Sequence, residues 1–307
     1  MSFLVKEDVC ILIPTLNEAA TIQQLIRDFK SEGFSNILLI DGHSSDRTRE
    51  LAEAEGAKVV VQSGKGKGQA LQEAFDIIES NYILMTDGDG TYLAKDSHAM
   101  LAPVLNGSAE HVIGNRFANY EPTAFTRLNL IGNKILNKIF GFAYGQWLND
   151  ILSGYRAFTR NTIKSLELNK TGFEIESEIT IESVKKELKI EEVPITYMAR
   201  HSKGSTKLSP LKDGFKIGAT IYKLAKMHNP LFYFGIIGAV SITVGGVFGI
   251  YVVTEWLDGV THVPLAILTT LLIIIGFEML VFGMMSNMIV SLHREMMHTI
   301  RLENKKK

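Results

Sequence analysis

The chain has 307 residues, 46% of them hydrophobic and 21% charged, with a formal net charge of −1. That balance gives no electrostatic reason to expect a nucleic-acid partner, and the length suits one sizeable domain with something smaller attached. A single cysteine, Cys10, excludes an intrachain disulfide and a cysteine-rich zinc site, as suits a reducing compartment.

Lys6, Glu7 and Asp8 interrupt the short apolar start, which lacks the order of a signal peptide. Strand and helix then alternate over the first 200 residues. Residues 9–13 are an apolar run ended by Pro14, and Ile22, Leu25, Ile26 and Phe29 give residues 19–30 helical spacing. Further strands are expected at 36–40, 58–61 and 82–86, with helices starting near 47 and 69. Repeated units of this kind predict a mostly parallel sheet covered on both faces, with ligands at the carboxyl ends of its strands.

Those ends carry four polar loops: Pro14-Thr15-Leu16-Asn17-Glu18, Asp41-Gly42-His43-Ser44-Ser45-Asp46, Gly64-Lys65-Gly66-Lys67-Gly68 and Asp87-Gly88-Asp89-Gly90-Thr91. The glycine–lysine run lacks the Lys-Ser/Thr ending of a P-loop. It reads either as a flexible turn or as a helix start whose amides, with Lys67, suit a pyrophosphate. Asp87 and Asp89 can share a hard divalent cation, which would neutralise a diphosphate leaving group. A calcium loop of the EF-hand type is excluded, because Tyr92 stands at its glycine position and His98 at its bidentate glutamate position.

Composition changes after Asn229. Residues 231–254 carry no charge, and residues 263–292 carry only Glu278. Each run exceeds the roughly 20 residues that cross a hydrocarbon core, so a transmembrane hairpin is expected over 230–257 and 263–292. Its link contains neither Lys nor Arg. Lys212, Lys216, Lys223 and Lys226 precede it, and Arg294, Arg301 and Lys305, Lys306 and Lys307 follow. The positive-inside rule then puts both termini and residues 1–208 on the cytoplasmic side of the cell membrane. Residues 209–229 read as an amphipathic helix on the membrane surface, and 293–307 as a basic tail. Gly245 and Gly249 have the spacing that lets spans pack closely, and a homo-oligomer through these helices is compatible with it.

With these loops in view, the chain resembles the polyprenyl-phosphate (dolichyl-phosphate) sugar synthases, family-2-type inverting glycosyltransferases of GT-A fold. The similarity runs over residues 9–207. Three further segments carry it: Val112-Ile113-Gly114-Asn115-Arg116, Asp150-Ile151-Leu152-Ser153-Gly154-Tyr155-Arg156, and Val193-Pro194-Ile195 followed by Arg200 and Gly204-Ser205-Thr206-Lys207. The resemblance implies a Rossmann-like α/β domain that moves a sugar from a nucleotide-sugar to a polyprenyl or dolichyl phosphate. It assigns Pro14, Thr15, Glu18, Asp41 and Asp87 to the donor, where the glycine–lysine run adds Lys67, and Asp87 and Asp89 to Mg²⁺ or Mn²⁺. Arg116, Arg127, Ser153, Arg200 and Lys207 fall to the acceptor phosphate, and Asp89, Arg116 and Asp150 to catalysis.

The sequence departs from the pattern in three places. Gly42 replaces a second aspartate, Thr91 stands where some members have a glutamine metal ligand, and the segment around Arg127, Asn129 and Asn133 matches loosely. Gly42-His43 leans towards UDP-glucose or UDP-N-acetylglucosamine, with GDP-mannose the alternative. A phosphate acceptor is already anionic and needs cations rather than a general base. Two other readings compete. A processive polysaccharide synthase would carry a Gln-x-x-Arg-Trp motif that Gln146-Trp147 does not supply. A non-catalytic membrane scaffold would have no need of Asp87, Asp89, Arg116 and Arg200.

Overall fold

Strands that are apolar on both sides must be covered on both faces. The computed structural model, which describes residues 6–172, 174–200 and 210–306, shows this arrangement. In chain order come β1 (Val9–Thr15), α1 (Ile22–Ser31), β2 (Ile37–Asp41), α2 (Thr48–Ala54), β3 (Lys58–Val61), α3 (Lys67–Ile77) and β4 (Tyr82–Met85). Then follow α4 (Ser97–Leu105), β5 (His111–Tyr120), α5 (Arg127–Tyr144), β6 (Arg156–Thr159), α6 (Arg160–Ser165), α7 (Ile175–Lys185) and β7 (Ile190–Tyr197). The sheet order is β3-β2-β1-β4-β6-β5-β7. Strand β6 runs antiparallel to both its neighbours, and the other pairings are parallel.

Alternate side chains of each central strand feed two cores. Val9, Ile11 and Ile13 join Leu25, Ile26 and Phe29 of α1 on one face. Cys10 and Leu12 join Leu71, Ala74 and Phe75 of α3 on the other. Burial pushes the Cys10 thiol up to about 12, as expected of a cysteine used as a small apolar residue.

Two irregularities open the carboxyl edge. Pro14 has no amide to donate, and β4 pairs with β1 only from Val9 to Leu12, so the ladder ends where the proline begins. In β5 the register with β7 shifts between Asn115 and Asn119. Arg116 lies in that irregularity, which is how a sheet re-aims a side chain beside a site. Pro194 sits in β7, which pairs with β5 alone, the edge position a proline tolerates.

The chain divides into two compact units, Met1–Gly141 with Gln146–Thr220, and Phe142–Gly145 with Ile221–Lys307. Helix α8 (Pro210–His228) covers the segment expected as a surface helix, with Ile217, Ile221 and Ala225 buried and Phe215 exposed, and α9 (Pro230–Leu257) covers the first apolar segment. Asn229 caps α9 by accepting from Phe232 N at 3.1 Å, with Pro230 at its first position. The last element corrects the sequence reading. α10 runs Val263–Lys306 as one helix, so the basic stretch expected as a tail continues the second apolar segment.

Two segments of these helices, Pro230–Leu257 and Val263–Leu292, are long and apolar enough to cross a membrane, and only 11% of each is buried. They pack through glycine. A side chain at Gly238 would meet the Gly276 carbonyl, one at Gly276 would meet Ile242, and one at Gly245 would meet Ile273. The glycines at 245 and 249 therefore face α10 of the same chain.

Candidate active site

The β1 and β2 loops are tied to each other. Asn17, in the left-handed region at φ 53°, donates its amide to Ser44 Oγ and accepts from the Ser45 amide, both at 2.8 Å. The Glu18 amide donates to Thr48 Oγ1 at 2.8 Å. Asp46 accepts from the Ala19 and Thr48 amides. Burial would raise its carboxyl, but these bonds and the one from Thr48 Oγ1 hold it below the usual aspartate range.

Asp41 is wholly buried. Its two oxygens accept from the Ser44 amide at 2.8 Å and the Ser44 hydroxyl at 2.5 Å. In this structure it shapes the β2 turn and does not face an open cleft, which departs from a direct donor contact. Pro14 and Thr15 are buried as well. Thr15 Oγ1 and Gln62 Oε1 are buried acceptors without a hydrogen-bond partner. Gln62 flanks Gly42, whose Cβ would lie 3.3 Å from its Nε2.

At the end of β4 the charges are shared. Lys67 opens α3, two residues earlier than the sequence pattern predicts, and its Nζ lies 2.5 Å from both Asp87 Oδ1 and Glu176 Oε1. Burial alone would lower the ammonium; Asp87 and Glu176 together hold it above the usual lysine range. Asp89 accepts from the Thr91 amide and hydroxyl through Oδ1, and its Oδ2 is 3.0 Å from Arg200 Nη2. The same Nη2 lies 3.4 Å from Glu18 Oε1. Glu18, Asp46, Asp89 and Arg200 line a cleft of about 290 Å³ with Asn17 and Thr21.

Glycine is required beneath Asp87. A Cβ at Gly154 would lie 2.5 Å from Asp87 Oδ2, so the carboxylate rests on bare backbone. The Gly154 amide is held by Tyr92 Oη at 2.8 Å. Arg116 binds Asp150 through two parallel contacts of 2.7 Å, and its amide adds a third of 3.1 Å. Asp150 is fully buried, and its own amide donates to Glu192 at 3.0 Å. Burial would draw the Arg116 guanidinium down, but the Asp150 charge keeps it well above the arginine range. Phe117, Phe125 and Tyr197 surround it, with ring centres 5.4–5.8 Å from Cζ. Burial pushes the Tyr197 phenol up, Arg116 lowers it and both Asp89 and Asp87 raise it, so this ring stands within electrostatic reach of both groups.

Arg156 fixes the turn that carries Asp150 and Gly154. Fully buried, it donates to the Ser153 carbonyl at 2.8 Å, the Ile151 carbonyl at 2.7 Å and Thr180 Oγ1 at 2.9 Å. Burial brings it down to about 10, so it stays charged at neutral pH. Its Nη1 also meets His111 Nε2 at 3.1 Å. An arginine can only donate, so this nitrogen accepts and Nδ1 carries the proton towards Ser183 Oγ, 2.9 Å away.

Among the described residues, no three His, Cys, Asp or Glu side chains form a metal cluster. Asp87 and Asp89 are the residues that would hold a divalent cation, through carboxylate oxygens that face the same site. Mg²⁺ is commonly held by such a donor set, and these residues fit it.

Residues 10–166 match the family described as Glycosyl transferase family 2. The chain belongs to that family. It is 50% identical over 294 residues to the glycosyltransferase AglJ of Haloferax volcanii, covering 95% of this chain and 97% of the relative. It is 31% identical over 221 residues to a dolichyl-phosphate hexose transferase of the same organism, covering 71% and 94%. Its fold matches the crystal structure of glucosyl-3-phosphoglycerate synthase from Mycobacterium tuberculosis with Mn²⁺, uridine-diphosphate-glucose and phosphoglyceric acid. The TM-score is 0.59 and the identity 21%, over 73% of this chain and 84% of that one. This family 2 chain is thus a glycosyltransferase with a GT-A fold, and the non-catalytic scaffold reading falls.

Several residues named from sequence stand elsewhere than the resemblance implied. Arg200 sits against Glu18 and Asp89, among the loops assigned to the donor. Ser153 is wholly buried, with its Oγ accepting from the Tyr155 amide at 3.3 Å, so it does not face a phosphate here. Arg127 is exposed at the start of α5. Lys207 lies outside the described residues. Glu176, Glu192, Tyr92, Tyr197 and the clamp of Arg156 were not found from sequence. Glu176 stands in the run Glu174-Ile175-Glu176-Ser177-Glu178, which reads as the charged face of a helix.

Proposed function

We propose that this glycosyltransferase moves a sugar from a UDP-sugar, UDP-glucose or UDP-N-acetylglucosamine, to a polyprenyl or dolichyl phosphate with inversion at the anomeric carbon. The observation that carries this reading is the union, in one chain, of a family 2 sheet domain with two long apolar helices left mostly exposed. An acceptor with its tail in the bilayer suits an enzyme anchored there. The relative named dolichyl-phosphate hexose transferase supports the same acceptor class. Helix α5 adds support from an unexpected place. Leu128, Ile131, Ile135 and Phe142 are all more than half exposed at spacings of one helical face, as in a helix seated on a membrane surface.

The protein's own residues account for most of the chemistry. Glu18, which lines the cleft, offers a partner to a nucleoside. A bound Mg²⁺ or Mn²⁺, held by Asp87 and Asp89, would neutralise the leaving diphosphate. Lys67 and Arg200 stand ready as cations beside those carboxylates. Arg116, kept charged and oriented by Asp150, steers the acceptor phosphate. A phosphate oxygen then bonds to the anomeric carbon as the bond to the diphosphate breaks, so an α-linked donor gives a β-linked product. The lysines and arginines flanking the helix pair support a reading in which the sheet domain and both termini are cytoplasmic.

Radiolabelled UDP-glucose, UDP-N-acetylglucosamine and GDP-mannose, each offered with a short polyprenyl phosphate and Mn²⁺, test the reading. Lipid-linked sugar from a UDP donor is expected. Product from GDP-mannose alone would reassign the donor, and polymer would favour a processive synthase.

A further inference from the structure

One acid at the end of β4 has no part in the chemistry above. Glu176 lies in the first turn of α7, where the helix dipole favours a carboxylate. That alone would explain its type, but not its surroundings. Its side chain is 6% exposed and touches Lys67 Nζ at 2.5 Å, the distance at which that nitrogen also holds Asp87.

The segment before α7 is built to keep it there. The Lys170 and Thr171 carbonyls occupy the space that Cβ atoms on Gly68 and Gly66 would need. The Gly68 amide donates to Thr171 O at 3.0 Å, and Gln72 donates to Lys170 O at 2.9 Å. Gly66, at φ 98°, turns the chain into α3 at this contact. Glycine in the Gly64–Gly68 loop thus serves backbone packing, and at least one amide of the helix start is already committed to protein.

We propose that Glu176 is a positioning residue of the donor site, holding Lys67 between itself and Asp87 so that a fixed cation faces the donor's diphosphate. The proposal rests on reading this site as the nucleotide-sugar site. Two carboxylates around one ammonium leave a net negative charge, so Asp87 keeps its attraction for a divalent cation. Without the Glu176 charge, the ammonium turns wholly onto Asp87. That neutralises the carboxylate and withdraws the lysine from the diphosphate.

The test uses the full-length protein, titrated calorimetrically with UDP and with GDP, each with Mn²⁺. The nucleotide bound by the unaltered protein becomes the probe. Glu176→Gln is expected to raise its Kd about tenfold or more, the loss of one charge-assisted contact. Acceptor KM and melting temperature should stay close to those of the unaltered protein. Glu176→Asp keeps the charge on a shorter arm and should raise Kd a few-fold, which also serves should the glutamine variant not fold. In a Lys67→Met background, Glu176→Gln should add nothing, because it acts through the lysine. Undiminished affinity in either Glu176 variant, or additive losses in the double variant, would overturn the proposal. Binding of neither nucleotide by the unaltered protein would instead overturn the donor-site reading.

Discussion

The loops at the ends of β1 and β4 and the turn at residues 150–156 both bury charge, but they hold it differently. In the loops each cation is divided: Lys67 between Asp87 and Glu176, Arg200 between Glu18 and Asp89. In the turn each cation is held by fixed partners. Arg116 meets one carboxylate through two 2.7 Å contacts, and Arg156 spends its donors on two carbonyls, a hydroxyl and an imidazole. Divided cations can exchange a protein oxygen for a ligand oxygen at little cost. A buried bidentate pair cannot lose a member without stranding the other charge. The loops therefore offer exchangeable cations to the donor, and the turn is the frame that fixes Arg116 for the acceptor phosphate.

Breaking the loop side should have the largest effect on transfer. Asp89→Ala is expected to abolish it in the radiolabelled assay, and EDTA should do the same to the unaltered enzyme until Mg²⁺ or Mn²⁺ is returned. Full transfer by Asp89→Ala in chelator would remove the metal from the reading. Breaking the frame should appear first as lost stability. Asp150→Ala strands the buried Arg116 and should cost about 3–5 kcal/mol in denaturant unfolding. An Asp150→Ala protein as stable as the parent would show that the pair is not part of the frame.

Arg200→Ala sharpens the contrast. Its place between Glu18 and Asp89 predicts nucleotide binding weakened by about 1.5–3 kcal/mol in calorimetry. Unchanged nucleotide binding with lost acceptor use would move this arginine to the acceptor phosphate. The smallest effect concerns His111, whose imidazole is pushed well below its usual range by burial and by Arg156. As pH falls below about 6.5 the unfolded chain takes up this proton first, so stability drops by at most about 1.4 kcal/mol per pH unit. Above that value this group adds no slope. Denaturant unfolding at pH 7.5 and 5.5 should show a shallower loss in His111→Asn than in the parent.

What could be read in the sequence follows from how local each signal is. The strands β1, β2 and β4 and the apolar helices announce themselves by runs of side chains that only burial or lipid would accept, and the half-exposed edge strand β3 by its three valines. The Asp87-x-Asp89 pair is legible because both acids share one loop. Arg116 and Asp150 are 34 residues apart, and their pairing depends on the β5 irregularity, which no run of residue types declares. Glu176 and Lys67 meet only because Gly66 and Gly68 admit the backbone of residues 170 and 171. The helix α3 starts two residues before its periodic pattern does, for a related reason. Gly66 and Gly68 weaken the helical pattern there, and tertiary contact restores it.

Gly154 bears on how variation in this protein would be interpreted. It carries no charge, titrates at no pH and would rank low in any search for reactive groups. Yet its missing side chain is the floor on which Asp87 rests. A change there to serine or alanine, mild by every measure of polarity and size, would press a carbon into that carboxylate and tilt it away from Lys67. In a collection of natural or laboratory variants, such a substitution would stand among the inactive ones beside those that remove the acid itself.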